Sequence, residues 1–458
     1  MKKFLLLLLC IVPIALFAQQ TTLNGIVSGA DGQIIRLIAY DDFVSKKIIT
    51  LGQHEIGDDG SFALTFDIQE TIMAFLDINY QRAEIFIEPG KTYSLEVGYD
   101  KDNHLESYFD RKNLFYDFTD ADTNDLNLRI WKFNAMYNKF VMENFDHIYT
   151  LHDKSRVHTF REEVSDVFPL SDSGYFADYI TYKLADVEQY ARLKGKSALS
   201  KEYFNDQVIL YDNVEYTYFF EQFFEKFLIT SPDVITISDL IIAVNDNADH
   251  EAIMEALAGV SYLEDKDFRE LVALHALKSL YYNGTYKKPQ VLQMIRALGE
   301  QTRVAMHKRI ATNLLESLAS LSPGSPAPDL LLTSIAGQKF NLKNIKGKPI
   351  LLTFFRSAQE GTSYTFDKIA ELYNQYRSGL EVISVSMDID PLSYLDIANS
   401  GNYYWTFAHY GNDPVVYDLY NIRDLPLYVL IDVEGNISQC PAPPPGDELE
   451  RAIMKVIH

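Results

Sequence analysis

The stretch Ile350-Leu-Leu-Thr-Phe-Phe355, set between Pro349 and the polar Arg356 to Ser363, restricts the fold more than any other part of the chain. It is too short for a helix, and it does not alternate apolar with polar residues, so both of its faces must be covered. That is the pattern of a parallel strand inside a sheet flanked by helices. From Ser363 to Tyr376, Phe366, Ile369, Leu372, Tyr373 and Tyr376 recur at spacings of three and four, which predicts a helix packed back on that strand. The unit is strand, tight turn, helix.

The rest of the chain changes period twice. Residues 22–105 carry short β-rich runs, such as Ser61 to Phe66 and Tyr93 to Val97, punctuated by turn residues at Asp31-Gly32, Asp58-Asp-Gly60 and Glu88-Pro-Gly90. This predicts a small β-sandwich. Residues 110–320 turn to helical spacing, as at Leu126, Ile130, Phe133, Tyr137, Phe140 and Val141. Further stripes over Phe176 to Leu193, Tyr203 to Phe227, Phe268 to Leu280 and Val291 to Leu318 are separated by breakers at Pro169, Gly195, Pro232, Gly259 and Pro289. An all-helical middle follows. Phe219, Phe220, Phe223, Phe224 and Phe227 fall on one helical face and read as core. Leu321-Ser-Pro-Gly-Ser-Pro-Ala-Pro328 reads as a hinge before a third domain, 324–458. The predicted fold class is multidomain α+β: N-terminal β-sandwich, all-helical middle, C-terminal α/β domain.

Residues 1–18 open with Lys2 and Lys3 and continue in a leucine-rich run to Phe17, the composition of a cleavable secretory signal peptide. Nothing later reaches the length of about 18 apolar residues that a membrane span needs, so no span is expected in the mature chain. The formal net charge of −23, or −25 after loss of the two lysines, disfavours nucleic acid and anionic lipid as partners. Of the two cysteines, Cys10 and Cys440, only Cys440 would survive export, which excludes an intramolecular disulfide. His147, His152 and His158 lack the spacing of metal ligands. There is no phosphate-binding glycine loop and no nucleophile elbow. Asp388-Ile-Asp390 reads as a cap ahead of Pro391. No metal or cofactor is expected.

The strand, turn and helix at Lys348 to Phe366 resemble the active-site unit of TlpA-type envelope proteins of the thioredoxin-like superfamily. Gly324-Ser-Pro-Ala-Pro-Asp329 is similar to that family's entry into the domain, Asn341 to Lys348 to its lead into the strand, and Val416 to Gly435 to its helix, Pro-centred bend, strand and Asp-x-x-Gly hairpin. Earlier in the chain, Asp58-Asp-Gly-Ser-Phe62 and Ile87-Glu-Pro-Gly90 resemble the β-domain that precedes thioredoxin-like domains in some exported proteins.

The resemblance puts Gln359 and Thr362 at the positions of the nucleophilic and resolving cysteines, and Ala358 at that of the tryptophan before them. The active site is degenerate, with no catalytic residue expected. A thioredoxin works through a thiolate at a helix N-terminus that a second thiol resolves, and these two side chains do neither. Thr362 or Ser363 is expected to cap the helix instead. Pro426 stands at the family's cis-proline, and Leu425 before it could still offer its backbone to a peptide by strand addition, with Phe355, Tyr364, Trp405 and Leu427 near the rim or in the core.

Cys440 is expected to end near the same rim, as a candidate thiol or an inert packing residue. The resemblance thus implies a periplasmic or cell-envelope protein that binds an envelope protein or peptide without redox chemistry. The alternatives are a residual redox role through Cys440 or a partner's thiols, and a structural envelope component.

Overall fold

The computed structural model describes residues 20–79, 81–100, 112–169, 174–205, 207–388, 390–400, 403–411, 413, 415–422 and 424–457. The expected signal peptide at 1–18, with Cys10, lies outside the described residues.

Two N-terminal sheets face each other. One has four strands in the order Ser61–Phe66, Thr21–Ser28, Thr92–Gly98, Phe115–Phe118; the other has five, in the order Ile48–Glu55, Ile34–Tyr40, Ile72–Ile78, Gln81–Ile87, Lys112–Asn113. Alternation does the sorting: Phe62, Leu64 and Phe66 are buried while Ser61, Ala63 and Thr65 are exposed, as a half-covered strand requires. Leu23, Leu64 and Leu95 from the first sheet share one core with Leu37, Leu76 and Ile85 from the second.

The β region runs past the expected boundary at 105. Lys112–Asn113 and Phe115–Phe118 extend the two sheets, and the first helix begins only at Leu126. Phe115–Phe118 completes the edge of Thr92–Gly98, pairing Gly98 with Phe115, and so satisfies backbone groups that the sheet edge would leave open.

Helices follow from Leu126 to Ala319. Two expected stripes break. The Tyr203 to Phe227 stripe restarts at Val214 because Asn213 Oδ1 accepts the Glu215 and Tyr216 N–H groups, both at 3.2 Å, an N-cap. The Val291 to Leu318 stripe splits into Lys288–Gln301 and Ala305–Ala319, and between them the Thr302 hydroxyl donates to Glu270 Oε2 at 2.6 Å. Pro289 opens the helix Lys288–Gln301 rather than preceding it, where its missing N–H costs nothing. The five phenylalanines of the aromatic run are all at most 2% exposed and belong to the helical core, but they do not share one helical face: the helix Val214–Phe223 ends before Phe224, Lys226 is left-handed with a φ of 49°, and a short helix Phe227–Thr230 begins anew.

The N-terminal sheets and the helices are joined through side chains. Asn127, fully buried, accepts the Phe86 N–H at 2.7 Å and donates to the Phe86 carbonyl at 2.8 Å, standing in for a neighbouring strand. The loop after Ile34–Tyr40 sends Phe43 and Val44 into the helical core, while Lys278 Nζ donates to the Val44 carbonyl at 2.6 Å.

The C-terminal sheet has seven strands in the order Lys339–Asn341, Leu331–Ser334, Thr406–His409, Glu381–Ser386, Ile350–Phe355, Leu427–Ile431, Ile437–Gln439. Ile350–Phe355 runs parallel to Glu381–Ser386 and antiparallel to Leu427–Ile431, and all six of its residues are buried. Ile350, Leu352 and Phe354 enter one core and Leu351 and Phe355 the opposite one, against Phe366, Trp405 and Phe407. The absence of alternation thus reflects burial on both faces.

The expected hinge is not free. Gly324 N–H donates to Ile437 O at 2.8 Å, Ile437 N–H to Ser325 O at 2.7 Å and Ala327 N–H to Gly435 O at 3.0 Å. The edge strand Ile437–Gln439 needs partners for its outer backbone groups, and the Pro-rich segment supplies them.

Candidate functional site

The site forms where Ile350–Phe355 ends. The chain turns through Arg356 to Gly361, and Gly361, with φ of 85°, takes the left-handed conformation that glycine adopts without strain. The helix Thr362–Tyr376 then starts. Neither Thr362 nor Ser363 caps it, since Gly361 is the N-cap residue and no side chain accepts there. The Thr362 hydroxyl instead points back into the turn, 2.8 Å from Gln359 O and 3.1 Å from Arg356 O. Each carbonyl also accepts a backbone N–H within the turn, Arg356 O from Gln359 at 3.3 Å and Gln359 O from Thr362 at 3.2 Å, so the hydroxyl adds a second donor to both and tightens the turn.

Gln359 is exposed, and its Nε2 donates to Leu425 O at 2.6 Å. Leu425 N–H donates to Asp424 Oδ1 at 2.9 Å. The Leu425–Pro426 peptide bond is cis. Leu425 lies two residues before Leu427, the first residue of the strand Leu427–Ile431 and its end rung opposite Phe354, so both its backbone groups fall outside the ladder and are held by side chains. The structure therefore brings together Gln359, Thr362, Leu425 and Pro426 from the turn and the bend.

Of the rim candidates, Phe355 and Trp405 are core residues, 1% and 7% exposed. The Trp405 indole N–H donates to Ser384 Oγ at 2.9 Å. Tyr364 is 68% exposed on the first turn of the helix, and Leu427 is half-buried.

Sequence reasoning missed what holds the turn from below. Asp388 is not a cap ahead of Pro391: both its carboxylate oxygens lie 3.1 Å from Ser357 N, and Ser386 Oγ donates to Oδ2 at 2.7 Å. Asp390 does not cap a helix either: it accepts the Leu392 N–H at 3.0 Å within a turn, and the next helix begins only at Leu395. His409 is buried, and since the Gly411 N–H can only donate to Nδ1, at 3.1 Å, the ring proton sits on Nε2 and is donated to Asp388 O at 2.6 Å. Burial pushes the His409 pKa down despite Asp388, which keeps this tautomer neutral. The available signal was the pair of polar residues Ser386 and Asp388 at the end of an apolar strand, which parallel pairing brings to the same end of the sheet as the turn after Phe355.

Cys440 is half-buried and packs on the core that also holds Leu425 and Leu427. Gln439 pairs with Leu430, and Ala442 N–H donates to Tyr428 O at 2.7 Å, so Cys440 lies beside the start of Leu427–Ile431, at the end where the bend sits. Burial pushes its thiol up to about 11. At pH 7 only about one molecule in ten thousand then carries the thiolate that reacts. Native protein should therefore react with a chromogenic aromatic disulfide at least ~10-fold more slowly than urea-unfolded protein; equal rates would show an open, reactive thiol.

The histidines of the middle region do not converge. His147 Nδ1 is 3.7 Å from Asp153, His152 Nδ1 is 3.0 Å from Tyr190 O and His158 is exposed. Among the described residues no three His, Cys, Asp or Glu side chains are placed to hold a metal ion.

A family model described as thioredoxin-like matches residues 347–437. The thiol-disulfide oxidoreductase ResA of Geobacillus kaustophilus (strain HTA426) is 29% identical over 154 residues, 33% of this chain and 88% of its own length. That of Bacillus subtilis (strain 168) is 28% identical over 119 residues, 26% of this chain and 66% of its own. Among solved structures, the thioredoxin domain of a thiol-disulfide oxidoreductase from Bacteroides vulgatus is 25% identical, with a TM-score of 0.28, over 30% of this chain and 99% of that one. The C-terminal part of this chain, which carries the turn, the bend and Cys440, is a thioredoxin-like domain similar to those of the ResA-type thiol-disulfide oxidoreductases.

Proposed function

We propose that this is an exported protein of the periplasm or cell envelope whose thioredoxin-like domain binds an extended peptide or partner protein and performs no thiol-disulfide exchange. The observation that carries this reading is the hydrogen bond from Gln359 to Leu425 O: a side-chain amide, not a thiol, faces the bend where the resemblance expects the nucleophile. Thr362 is committed to the turn carbonyls. Burial holds the Cys440 thiol neutral at physiological pH, and a single thiol stalls as a mixed disulfide without a resolving partner. Export is supported by the composition of residues 1–18. No helix among the described residues is long and apolar enough to cross a membrane.

Insulin reduction tests the chemical half of the proposal. Mature protein with dithiothreitol should precipitate insulin no faster than dithiothreitol alone. Multiple turnover that disappears in Cys440→Ser would replace the proposal with single-thiol chemistry at Cys440.

A further inference from the structure

We infer that the peptide edge at Leu425 is closed by the protein's own side chains and that Gln359 is a displaceable latch on it; this rests on the peptide-binding reading above. Backbone N–H and C=O groups that extend past the end of a ladder are a template for a further strand. At Leu425 both are already taken, the carbonyl by Gln359 Nε2 at 2.6 Å and the N–H by Asp424 Oδ1 at 2.9 Å. Neither partner is part of the sheet. Both side chains are exposed, so each can swing into water and exchange its bond for one to solvent, leaving the backbone free for an incoming chain. The turn below does not move with them, because Ser357 N–H is held by Asp388 and the Thr362 hydroxyl by the turn carbonyls.

The occupant is an extended, positively charged polypeptide segment. Glu360 in the turn and Asp424 in the bend are exposed, while Arg356 and Arg423 in the same two segments of sequence offset them, so the selection comes from the whole chain, whose formal charge of −23 raises the local concentration of basic partners and repels acidic ones. Binding by strand addition uses backbone groups and is indifferent to thiols. The latch sets a threshold: a segment must supply a better partner for the Leu425 carbonyl than Gln359 does.

The test uses mature full-length protein and, as probe, reduced and carbamidomethylated ribonuclease A, a basic chain held unfolded and without thiols. Wild type should bind it weakly, and Gln359→Ala, at an exposed position where no packing is lost, should bind about three- to fivefold more tightly, the scale of one removed competing hydrogen bond. Hydrogen exchange should show the probe protecting the Leu425 amide in both proteins. Equal or weaker binding by Gln359→Ala, with Leu425 still protected, overturns the latch and leaves the groove standing. Absence of binding by either protein, or binding without protection at Leu425, overturns the groove and the latch with it.

Discussion

Phe43→Ala should lower the unfolding free energy of the N-terminal and helical regions by about 3 kcal/mol, the usual cost of removing a buried phenylalanine ring. Phe43 belongs to a loop of the five-stranded sheet, yet its ring packs edge-on against Phe220, 5.5 Å between centroids, and beside Tyr211. It is 7% exposed, and Val44 next to it is fully buried in the same helical core. The cavity would open among Phe220, Tyr211 and Val44, where the helices on either side are fixed by their own contacts and cannot close over it. The chain's two tryptophans separate the regions. Trp131 lies against Tyr116 and Phe118 of the N-terminal region, while Trp405 is in the thioredoxin-like core. Urea unfolding followed by Trp131 fluorescence in a Trp405→Phe background should show the shift. A change under about 1 kcal/mol, the range of surface substitutions, would mean that the loop is not anchored in the helical core.

The second large effect is a pH dependence at Asp186. This carboxylate sits on the helix Tyr175–Tyr190, one buried oxygen without a hydrogen-bond partner. Burial raises its pKa to about 6; Lys183 opposes the rise and Glu215 adds to it. Tyr137, Tyr149 and Tyr190 face the same charge. Lys183 is drawn to Glu215, 2.8 Å away, and leaves Asp186 undercompensated.

A folded-state pKa above the unfolded value favours the fold while the group is protonated, and that advantage is lost as pH rises through about 6. Asp186→Asn should therefore match wild type near pH 4 and be more stable by about 2–3 kcal/mol at pH 7.5, from a shift of about two units. Urea midpoints of the two proteins across that range give the difference directly. A difference that does not change with pH would show Asp186 ionising as it does in the unfolded chain.

Much of the fold is local and was open to reading. Ile350–Phe355 is buried on both faces because six residues in a row are fit for it, and Phe219 to Phe227 is core, as its apolar spacing indicated, although the helix ends at Phe223 and a new one starts at Phe227. The hairpin at Asp432 to Gly435 is equally local: Asp432 Oδ1 accepts the Asn436 N–H at 2.8 Å, and Gly435 adopts a φ of 90°. That the turn from Arg356 to Gly361 and the start of its helix hold no cysteine is written in the residues themselves.

What the tertiary structure alone decided are the pairings across long stretches of chain. Gln359 reaches Leu425, 66 residues on; Asp388 holds Ser357; Asn127 fills the edge beside Phe86; the Pro-rich segment before Asp329 joins the edge of the sheet rather than swinging free. Periodicity records which side of an element is buried, since burial repeats with the backbone's own turn or pleat. It carries no record of which distant polar group will meet an unpaired N–H or carbonyl, because that partner is chosen only when packing brings the two within about 3 Å.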